Sequence, residues 1–436
     1  MDRYPIGFWN LCEFELPEVW QRPREIVREW DEAGMSLAMS PMYSDFPGSR
    51  EAMEALLDEA YKRDIRVMFY DMRLKRAWHP DHFDEKAVRE AVLQLRGDFA
   101  LHPAVDSLFI LDEPGALRAH IEVENTIRTA QIAAELIPER KAFVNFGPWS
   151  GGWGASALGQ GGRKYQDVLS EFVTEAKLGL AGYDCYTQLL PDGEGLTEYF
   201  HNLEVFREVS RRTGVPFLNT VLMTGHFNYR EVTENDFRWQ LYTSVAHGAD
   251  GVMGYFFYNR RMTGRYGLAP IDEHFERSSQ FEKVARVNRT FHKTYGKLIP
   301  KLKLERVWHA KKSFANYPLF CEEEDENLIW VKAGHEAIVS RFRHEDGSLY
   351  YALTNNSQTQ ANECYLYFRP ELHVTDVCGL QWEEVERPEA VIENVYGRPA
   401  IKAGWWHEPH YAGNWLSPGS MKMWRVCTRG QHAPRD

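Results

Sequence analysis

Ser107-Leu-Phe-Ile-Leu-Asp-Glu-Pro-Gly115 is the stretch from which the fold of this chain is predicted. Its apolar run, 108–111, favours a buried β-strand, and Pro114 with Gly115 ends that strand in a turn. The strand delivers two carboxylates, Asp112 and Glu113, at its C-terminal end. Because α/β folds place their chemistry at strand ends, the stretch predicts a functional site as well as a strand. The alternative is a strand-end Asp that caps the next helix.

Outward from this stretch, residues 1–302 alternate short apolar strands with amphipathic helices. The first helix is predicted over Pro17–Ala33 and the last over Glu273–Thr294. Besides the opening stretch, which is the fourth strand, strands are predicted at Pro5–Leu11, Met35–Met42, Ile65–Met72, Lys141–Phe146, Gly179–Tyr186, Val215–Met223 and Gly251–Tyr258. Eight consecutive βα units predict an α/β fold, a (β/α)8 TIM barrel. A doubly wound sheet is the alternative, but no G-x-G-x-x-G motif follows the first strand.

The pattern changes after residue 302. Helical periodicity stops, and short alternating segments separated by turn residues appear at Glu336–Phe342, Leu349–Thr354, Cys364–Phe368 and Met421–Cys427. Such segments are typical of antiparallel strands. We therefore expect 1–302 to form a barrel domain and 303–436 a smaller all-β accessory domain, a β-sandwich.

Composition excludes several classes of partner. The 436 residues carry a net charge of −12 without a basic tract, which argues against nucleic-acid binding. No run approaches the length of a membrane-spanning helix, and the N-terminus lacks a signal-peptide pattern. Six scattered Cys residues form no metal-finger spacing. These features predict a soluble, cytoplasmic protein without membrane contact, or a secreted one if a leader has been removed. Homo-oligomer formation stays open.

Side chains at the C-terminal ends of barrel strands must converge on one mouth. Carboxylates, amides, one His and many rings at these positions, without a His or Cys cluster, predict a carbohydrate site that needs no metal and no cofactor. In chain order the predicted site residues are Trp9, Asn10, Tyr43, Asp71, Arg73, Asp112, Glu113, Asn145, Trp149, Asp184, Tyr186, Asn219, His226 and Tyr255.

Three of these strand ends also support a resemblance. Leu111-Asp-Glu-Pro114, Gly182-Tyr-Asp-Cys-Tyr186 and Ala246-His-Gly-Ala-Asp-Gly-Val-Met-Gly-Tyr-Phe-Phe-Tyr258 resemble uncharacterised (β/α)8 glycoside hydrolases, distantly related to the β-galactosidase-type retaining enzymes. The resemblance spans residues 4 to about 300, and a C-terminal β-domain is usual in such enzymes. It implies that Glu113 holds the fourth-strand acid position. The seventh-strand Glu of those families has no counterpart in Val215-Pro-Phe-Leu-Asn-Thr-Val-Leu-Met-Thr224.

Glycoside hydrolysis needs one protonated and one ionised carboxyl group. Glu113 is the predicted acid, because a nearby Asp112 would raise its pKa; the alternative is that Glu113 binds an Arg such as Arg73. Asp184 is the first candidate for the second catalytic carboxylate, with hydroxyl binding as its alternative. Asp71 is the second candidate, with a salt bridge to Arg73 as its alternative.

The remaining predicted residues, Asp112 among them, are expected to bind substrate. The carboxyl separation would then decide between retention and inversion of configuration. Two other functions stay open at this stage. One is a catalytically silent sugar-binding protein, favoured by the missing seventh-strand acid, and the other is a lyase or isomerase acting on a sugar acid.

Overall fold

The computed structural model describes residues 3–79, 82–116, 119–151, 153–191, 195–259, 266–322, 324–377, 384–385, 392–395, 397–403 and 415–428. The chain forms two compact units. One comprises Pro5–Val232 and Ala249–Asn288, and the other comprises Met1–Tyr4, Thr233–Gly248 and Arg289–Asp436. Helix 234–246 thus belongs with the second unit, and the predicted boundary after residue 302 stays a prediction.

Eight parallel strands form the nearly closed barrel that the alternation predicted. They are β1 Ile6–Phe8, β2 Leu37–Met39, β3 Arg66–Phe69, β4 Val105–Asp112, β5 Lys141–Phe146, β6 Leu180–Asp184, β7 Phe217–Leu222 and β8 Gly251–Tyr255. Each strand from β2 to β7 pairs with the next, and β8 pairs with β1. Between β1 and β2, the Ser36 amide donates a 2.9 Å hydrogen bond to the Ile6 carbonyl. The TIM-barrel prediction is confirmed.

The helices are α1 Pro17–Trp20, α2 Pro23–Glu32, α3 Ser49–Lys62, α4 Met72–Ala77, α5 Glu85–Leu95, α6 Ala119–Leu136, α7 Trp153–Ala157, α8 Tyr165–Glu175, α9 Leu196–Thr213, α10 Glu234–Ala246 and α11 Ser279–Thr294. Short extra elements are a π turn at Arg96–Ala100, 3-10 turns at Thr187–Leu189 and Ile299–Lys301, and a two-stranded ribbon of Trp78–His79 with His82–Phe83.

Two predicted helices differ from the structure. The helix expected over Pro17–Ala33 is broken at Arg22, whose φ of −129° and ψ of 43° are not helical. Pro23 explains the break, because the residue before a proline is disfavoured in the α region. The last helix begins at Ser279 rather than Glu273. Phe275 lies between, and its φ of 61° cannot continue a right-handed helix.

The barrel interior is filled by large apolar side chains, one or more from almost every strand. Strands enclosed by helices are buried on both faces, which explains their continuous apolar sequences. The inward residues form a single core cluster that includes Leu37, Met68, Phe109, Phe143, Leu180, Leu218 and Met253. Trp9, just past the end of β1, joins the same cluster and lies at the level where the site begins.

The second unit is built mainly of antiparallel strands: β9 Leu302–Ala310, β10 Leu328–Ala333, β11 Ala337–His344, β12 Leu349–Asn355, β13 Asn362–Phe368, β14 Leu372–Val377, β15 Glu384–Val385, β16 Ile392–Val395, β17 Arg398–Ala403, β18 Trp415–Leu416 and β19 Met421–Thr428. A six-stranded sheet runs β9-β11-β12-β19-β14-β15, and a five-stranded sheet runs β10-β13-β17-β16 with β18 on β13. Trp308 and Trp424 of the first sheet share one core with Leu366 and Phe368 of the second. The predicted all-β domain is confirmed.

In the part of the chain that the structure describes, no helix combines the length and the apolar character that a membrane crossing requires.

Candidate active site

A cavity of about 240 Å³ opens at the carboxyl ends of the barrel strands. Its walls carry residues at or just past the ends of five different strands, together with residues of the loop after β7. They are Trp9, Asp112, Glu113, Asn145, Asp184, Tyr186, His226, Phe227, Tyr229 and Tyr255. All of these except Phe227 and Tyr229 are among the site residues predicted from the sequence. The barrel therefore does bring most of the predicted strand ends to one place.

An irregularity in β4 turns Asp112 into this cavity. Phe109 points into the barrel core, and strict alternation would then place residue 112 on the outer face. The ladder between β4 and β5 shifts register between Phe109 and Leu111, and both Ile110 and Leu111 border a small cavity beside Thr126 and Thr129 of α6. This bulge moves the next inward position to Asp112.

Glu113 reaches the same cavity because its backbone is left-handed. Its φ is 44°, a conformation that L residues rarely adopt, and its amide donates a 2.8 Å hydrogen bond to the Asn145 carbonyl. Consecutive residues of a regular strand point to opposite faces, whereas here two consecutive carboxylates line one cavity. Backbone strain of this kind is concentrated at functional sites.

The turn after Glu113 is held in place by Gly115. Its φ of 86° is left-handed, and its amide donates a 2.9 Å hydrogen bond to Glu122 Oε2. A Cβ atom at this position would lie only 2.0 Å from the Ala157 carbonyl oxygen. Only glycine fits here, so the sequence Pro114-Gly115 supports the backbone geometry of Glu113 directly.

Asn145 joins two of the three carboxylates. Its Nδ2 donates to Asp112 Oδ1 at 2.9 Å and to Asp184 Oδ1 at 2.8 Å. The two hydrogens of a planar amide diverge by about 120°, which sets the two oxygens roughly 5 Å apart. Both amide hydrogens of Asn145, a predicted substrate-binding residue, are thus directed at protein carboxylates.

The pKa of each carboxyl group in the cavity is raised, chiefly by burial. The pKa of Asp112 is raised to about 6, although the Asn145 hydrogen bond and the charge of Lys75 oppose the rise. Asp112 lines the open cavity and is accessible to solvent, although many protein atoms lie close to its carboxyl group.

The other two carboxyl groups repel each other and Asp112. Burial and then the charge of Asp112 raise the pKa of Glu113 to about 7. The pKa of Asp184 is also raised, by burial first and then by the charges of Glu113 and Asp112. Ionisation of one group therefore raises the pKa of its neighbours, and the pKa values belong to the cluster rather than to single residues.

Aromatic rings form the wall that faces the carboxylates. Tyr186 stacks on Tyr255 with ring centroids 5.9 Å apart, and the His226 ring lies 5.0 Å from Tyr255. Burial lowers the pKa of His226, whose Nδ1 lies 3.3 Å from the Thr224 carbonyl, so the imidazole is neutral at pH 7. Within the described ranges, no three His, Cys, Asp or Glu side chains are grouped to hold a metal ion.

Three predicted site residues lie outside this cavity, in one buried network. Asp71, 3% exposed, accepts hydrogen bonds from Arg73, the shortest at 2.7 Å from Nη2. Arg73 also pairs with Asp98 at 2.6 Å and lies 5.0 Å from the centroid of the Tyr43 ring. The salt bridge considered as the alternative role of Asp71 is therefore present.

Three further predicted residues also point elsewhere. Asn10 is buried and its Oδ1 accepts from the Cys12 amide at 3.1 Å. The Trp149 ring packs edge-on against His201, with centroids 4.4 Å apart. The Asn219 Nδ2 donates to the Tyr199 hydroxyl of α9 at 3.4 Å, which places it on the outer face of β7.

Thr220, which the sequence reasoning overlooked, is the residue that β7 turns inward. Its hydroxyl lies 3.3 Å from Asn145 Oδ1 and 3.3 Å from Trp9 Nε1. The signal was available in principle, because Leu218 and Thr220 share one face by the two-residue period of a strand. Phe227 and Tyr229 belong to a loop, for which no periodicity predicts the direction of a side chain.

Comparison with known proteins relates the fold to solved structures only. No protein-family model and no curated protein matches the sequence. The β-galactosidase from Rahnella sp. R3 is 11% identical with a TM-score of 0.52, and that from Bacillus circulans sp. alkalophilus is 13% identical with a TM-score of 0.50. Each alignment covers 70% of this chain and 58% of the other. The resemblance to β-galactosidase-type barrels is confirmed for the fold, and this chain spans less than two thirds of those proteins.

A first prediction concerns the effect of the Glu113 carboxyl group on the stability of the folded protein. Because the folded pKa of Glu113 lies above its ordinary value of 4.5, the folded state binds more protons than the unfolded state between about pH 4.5 and 7. The stability of the wild-type protein should therefore fall as pH rises through this window. Replacing Glu113 by Gln should raise Tm relative to wild type, and by more at pH 8 than at pH 5.

Thermal unfolding of Glu113→Gln at both pH values measures this difference. Glu139→Gln is the matched control, because Arg96 lowers the pKa of that exposed Glu to about 2. The contribution of ionised Glu139 to stability is nearly the same at both pH values. The Tm difference between Glu139→Gln and wild type should therefore not change between pH 5 and pH 8. A Glu113→Gln difference that does not grow with pH would contradict the assignment.

A second prediction concerns Asp71. Asp71→Asn removes the buried carboxylate that accepts several hydrogen bonds from the largely buried Arg73, and it should lower the free energy of unfolding by about 3 kcal/mol. Asp45→Asn is the control, since Asp45 lies 3.7 Å from the same guanidinium with its side chain 62% exposed. Denaturant unfolding should show a change of less than about 1 kcal/mol for this control. Equal effects of the two variants would refute a structural role of the buried pair.

Proposed function

We propose that this protein hydrolyses a glycosidic bond, with Glu113 as the proton donor. The observation that carries the proposal is the convergence of Asp112, Glu113 and Asp184 opposite aromatic rings in one cavity at the carboxyl end of the barrel. Carboxyl groups can donate a proton to a leaving oxygen and stabilise an oxocarbenium-like transition state, and rings can stack on sugar faces. The fold that the chain shares with solved β-galactosidases supports the proposal.

Glu113 suits the role of acid because of its environment. A general acid works best when its pKa lies near the working pH, and burial with the neighbouring Asp112 charge raises the pKa of Glu113 to about 7. The left-handed backbone at Glu113 places its carboxyl in the cavity beside that of Asp112. Protonated Glu113 would then give its proton to the glycosidic oxygen as the bond to the sugar breaks.

Asp184 is the proposed second catalytic carboxylate. Strand β7, Phe217–Leu222, offers no acid, so the partner of Glu113 must come from another strand. Asp184 is the last residue of β6 and lines the cavity. After burial, the charge of Glu113 has the largest effect on the pKa of Asp184. Ionised Asp184 would either bond to the anomeric carbon as the nucleophile or take a proton from the water that attacks this carbon.

The substrate is proposed to be an oligo- or polysaccharide whose sugar ring lies between the carboxylates and the aromatic wall. Tyr186 and Tyr255 offer stacked ring faces, and neutral His226 can exchange hydrogen bonds with hydroxyl groups.

We also propose that residues 1–302 form the catalytic domain and residues 303–436 an accessory domain.

A third prediction tests the acid. Glu113→Gln should lower kcat/KM on an oligosaccharide by roughly 10²- to 10⁴-fold, because the leaving oxygen then departs unprotonated. The loss should be much smaller on dinitrophenyl glycosides, whose leaving group needs no proton. Wild-type activity on the oligosaccharide should also fall above about pH 7, and Glu113→Gln should lack this limb.

Asp184→Asn is the comparison variant, since a lost nucleophile or base slows both substrates alike. Full activity of Glu113→Gln on the oligosaccharide would overturn the role of Glu113. Sugar binding measured by calorimetry, with no product from any glycoside after long incubation of the wild-type protein, would favour a silent binding protein instead.

A fourth prediction concerns the cavity rim. Phe227 is 63% exposed and has a φ of 51°, so an apolar ring is held in solvent on a strained backbone. We expect it to stack on the sugar or aglycone beyond the cleaved bond. Phe227→Ala should raise KM up to about tenfold with little change in kcat, and Phe227→Tyr should retain the wild-type KM. Steady-state kinetics that show the same KM for both variants would contradict this role.

A further inference from the structure

A chain of hydrogen bonds runs from the end of β1 through β7 to β5 at the wall of the cavity. Trp9 Nε1 lies 3.3 Å from Thr220 Oγ1, and Thr220 Oγ1 lies 3.3 Å from Asn145 Oδ1. Asn145 Nδ2 then reaches Asp112 and Asp184. Trp9, Thr220 and Asn145 are each at most 2% exposed, so water does not compete for these contacts.

The direction of every bond in this chain follows from the donors and acceptors. An indole N–H can only donate, so the Thr220 oxygen accepts from Trp9 and its own hydrogen is available to Asn145. The Asn145 oxygen can only accept, so the amide turns its oxygen to Thr220 and its two hydrogens to the carboxylates. The opposite orientation would set the amide oxygen against two carboxylates.

We infer that Thr220 and Asn145 are positioning residues for the carboxylate cluster: Thr220 fixes the orientation of the Asn145 amide, and that amide holds Asp112 and Asp184 at a set separation. This inference rests on the proposed function for its catalytic consequence. It gives β7 a part in the site through a hydroxyl group, although the strand carries no acid.

The arrangement also acts on the charge of the cluster. Two hydrogen bonds from one amide favour the ionised forms of Asp112 and Asp184, and they oppose the effect of burial on the pKa of both groups. An amide free to rotate would donate less well. The ionised carboxylate that hydrolysis requires would then form only at higher pH.

Other titratable groups around the cluster are not expected to produce the same pH dependence. Among the described residues, those that face it include Lys75, Cys185, His226, Tyr165, Tyr186, Tyr229 and Tyr255. Burial raises the pKa of Cys185, Tyr165, Tyr186 and Tyr229 and lowers that of His226. Between pH 5 and 8 the cluster is therefore expected to titrate mainly through its three carboxyl groups.

The experiment compares Thr220→Val with Thr220→Ser in the full chain. Valine has the shape of threonine without the hydroxyl, whereas serine keeps the hydroxyl. The acidic limb of the kcat/KM profile should move up by about half a pH unit in Thr220→Val, and Thr220→Ser should keep the wild-type midpoint. Asn145→Ala, which removes both bonds, should move the limb by roughly one unit.

Thermal unfolding from pH 5 to pH 8 provides a readout that needs no substrate. Higher carboxyl pKa values in the folded state make stability fall more steeply with rising pH, so the drop in Tm should be larger in Thr220→Val than in Thr220→Ser. Identical midpoints and identical Tm drops for the two variants overturn the inference. Should Thr220→Val fail to fold, an unshifted Tm profile in folded Asn145→Ala overturns it instead.

The two proposals can fail separately. A wild-type protein that turns over no glycoside refutes the proposed function, while the Tm profiles still test the positioning pair. An active wild-type protein whose Thr220→Val profile matches that of Thr220→Ser refutes the positioning pair alone.

Discussion

Repulsion among three carboxyl groups crowded into one cavity is the constraint around which this site is built. Burial disfavours the charge of Asp112, Glu113 and Asp184, and each ionised neighbour disfavours it further. Both effects favour the protonated forms of the three groups. The amide hydrogens of Asn145 oppose this tendency at two of the three groups and leave Glu113 without such help. The amide thereby favours the ionised forms of Asp112 and Asp184, and acid and base roles require such different environments.

The backbone brings these carboxyl groups together by departing from regular strand geometry. A bulge in β4 turns Asp112 inward, and a left-handed Glu113 brings the next carboxyl to the same side. Neither feature occurs in a regular strand. Residue 115 has to be glycine, because a Cβ atom there would collide with the Ala157 carbonyl oxygen. Bulges and strained residues are retained where they aim side chains. Burial of the carboxyl groups in the same part of the chain lowers the stability of the folded state. Stability and function are therefore expected to oppose each other here.

The relation to β-galactosidase barrels is one of fold. In this chain Glu113 follows β4, whereas β7 contributes Thr220 and no acid. A barrel allows this arrangement because every strand ends at the same mouth, so a carboxylate from β6 can stand beside one from β4. The identity of the strand that supplies a group matters less than the direction in which its last residue points.

The sequence by itself determined the eight βα units, the all-β region after them and most of the cavity wall. Periodicity and strand-end polarity report local preferences, and a parallel barrel leaves strand ends only one place to meet. Tertiary structure alone decided which of those side chains face the cavity. Asn219 and Thr220 are adjacent and both polar, yet only the pairing of β7 in the barrel turns Thr220 inward and Asn219 toward α9. Asp71 and Asp112 both follow apolar strand residues, but Arg73 pairs with Asp71 whereas a bulge turns Asp112 into the cavity. Side-chain direction depends on register and on partners distant in the chain, and local sequence specifies neither.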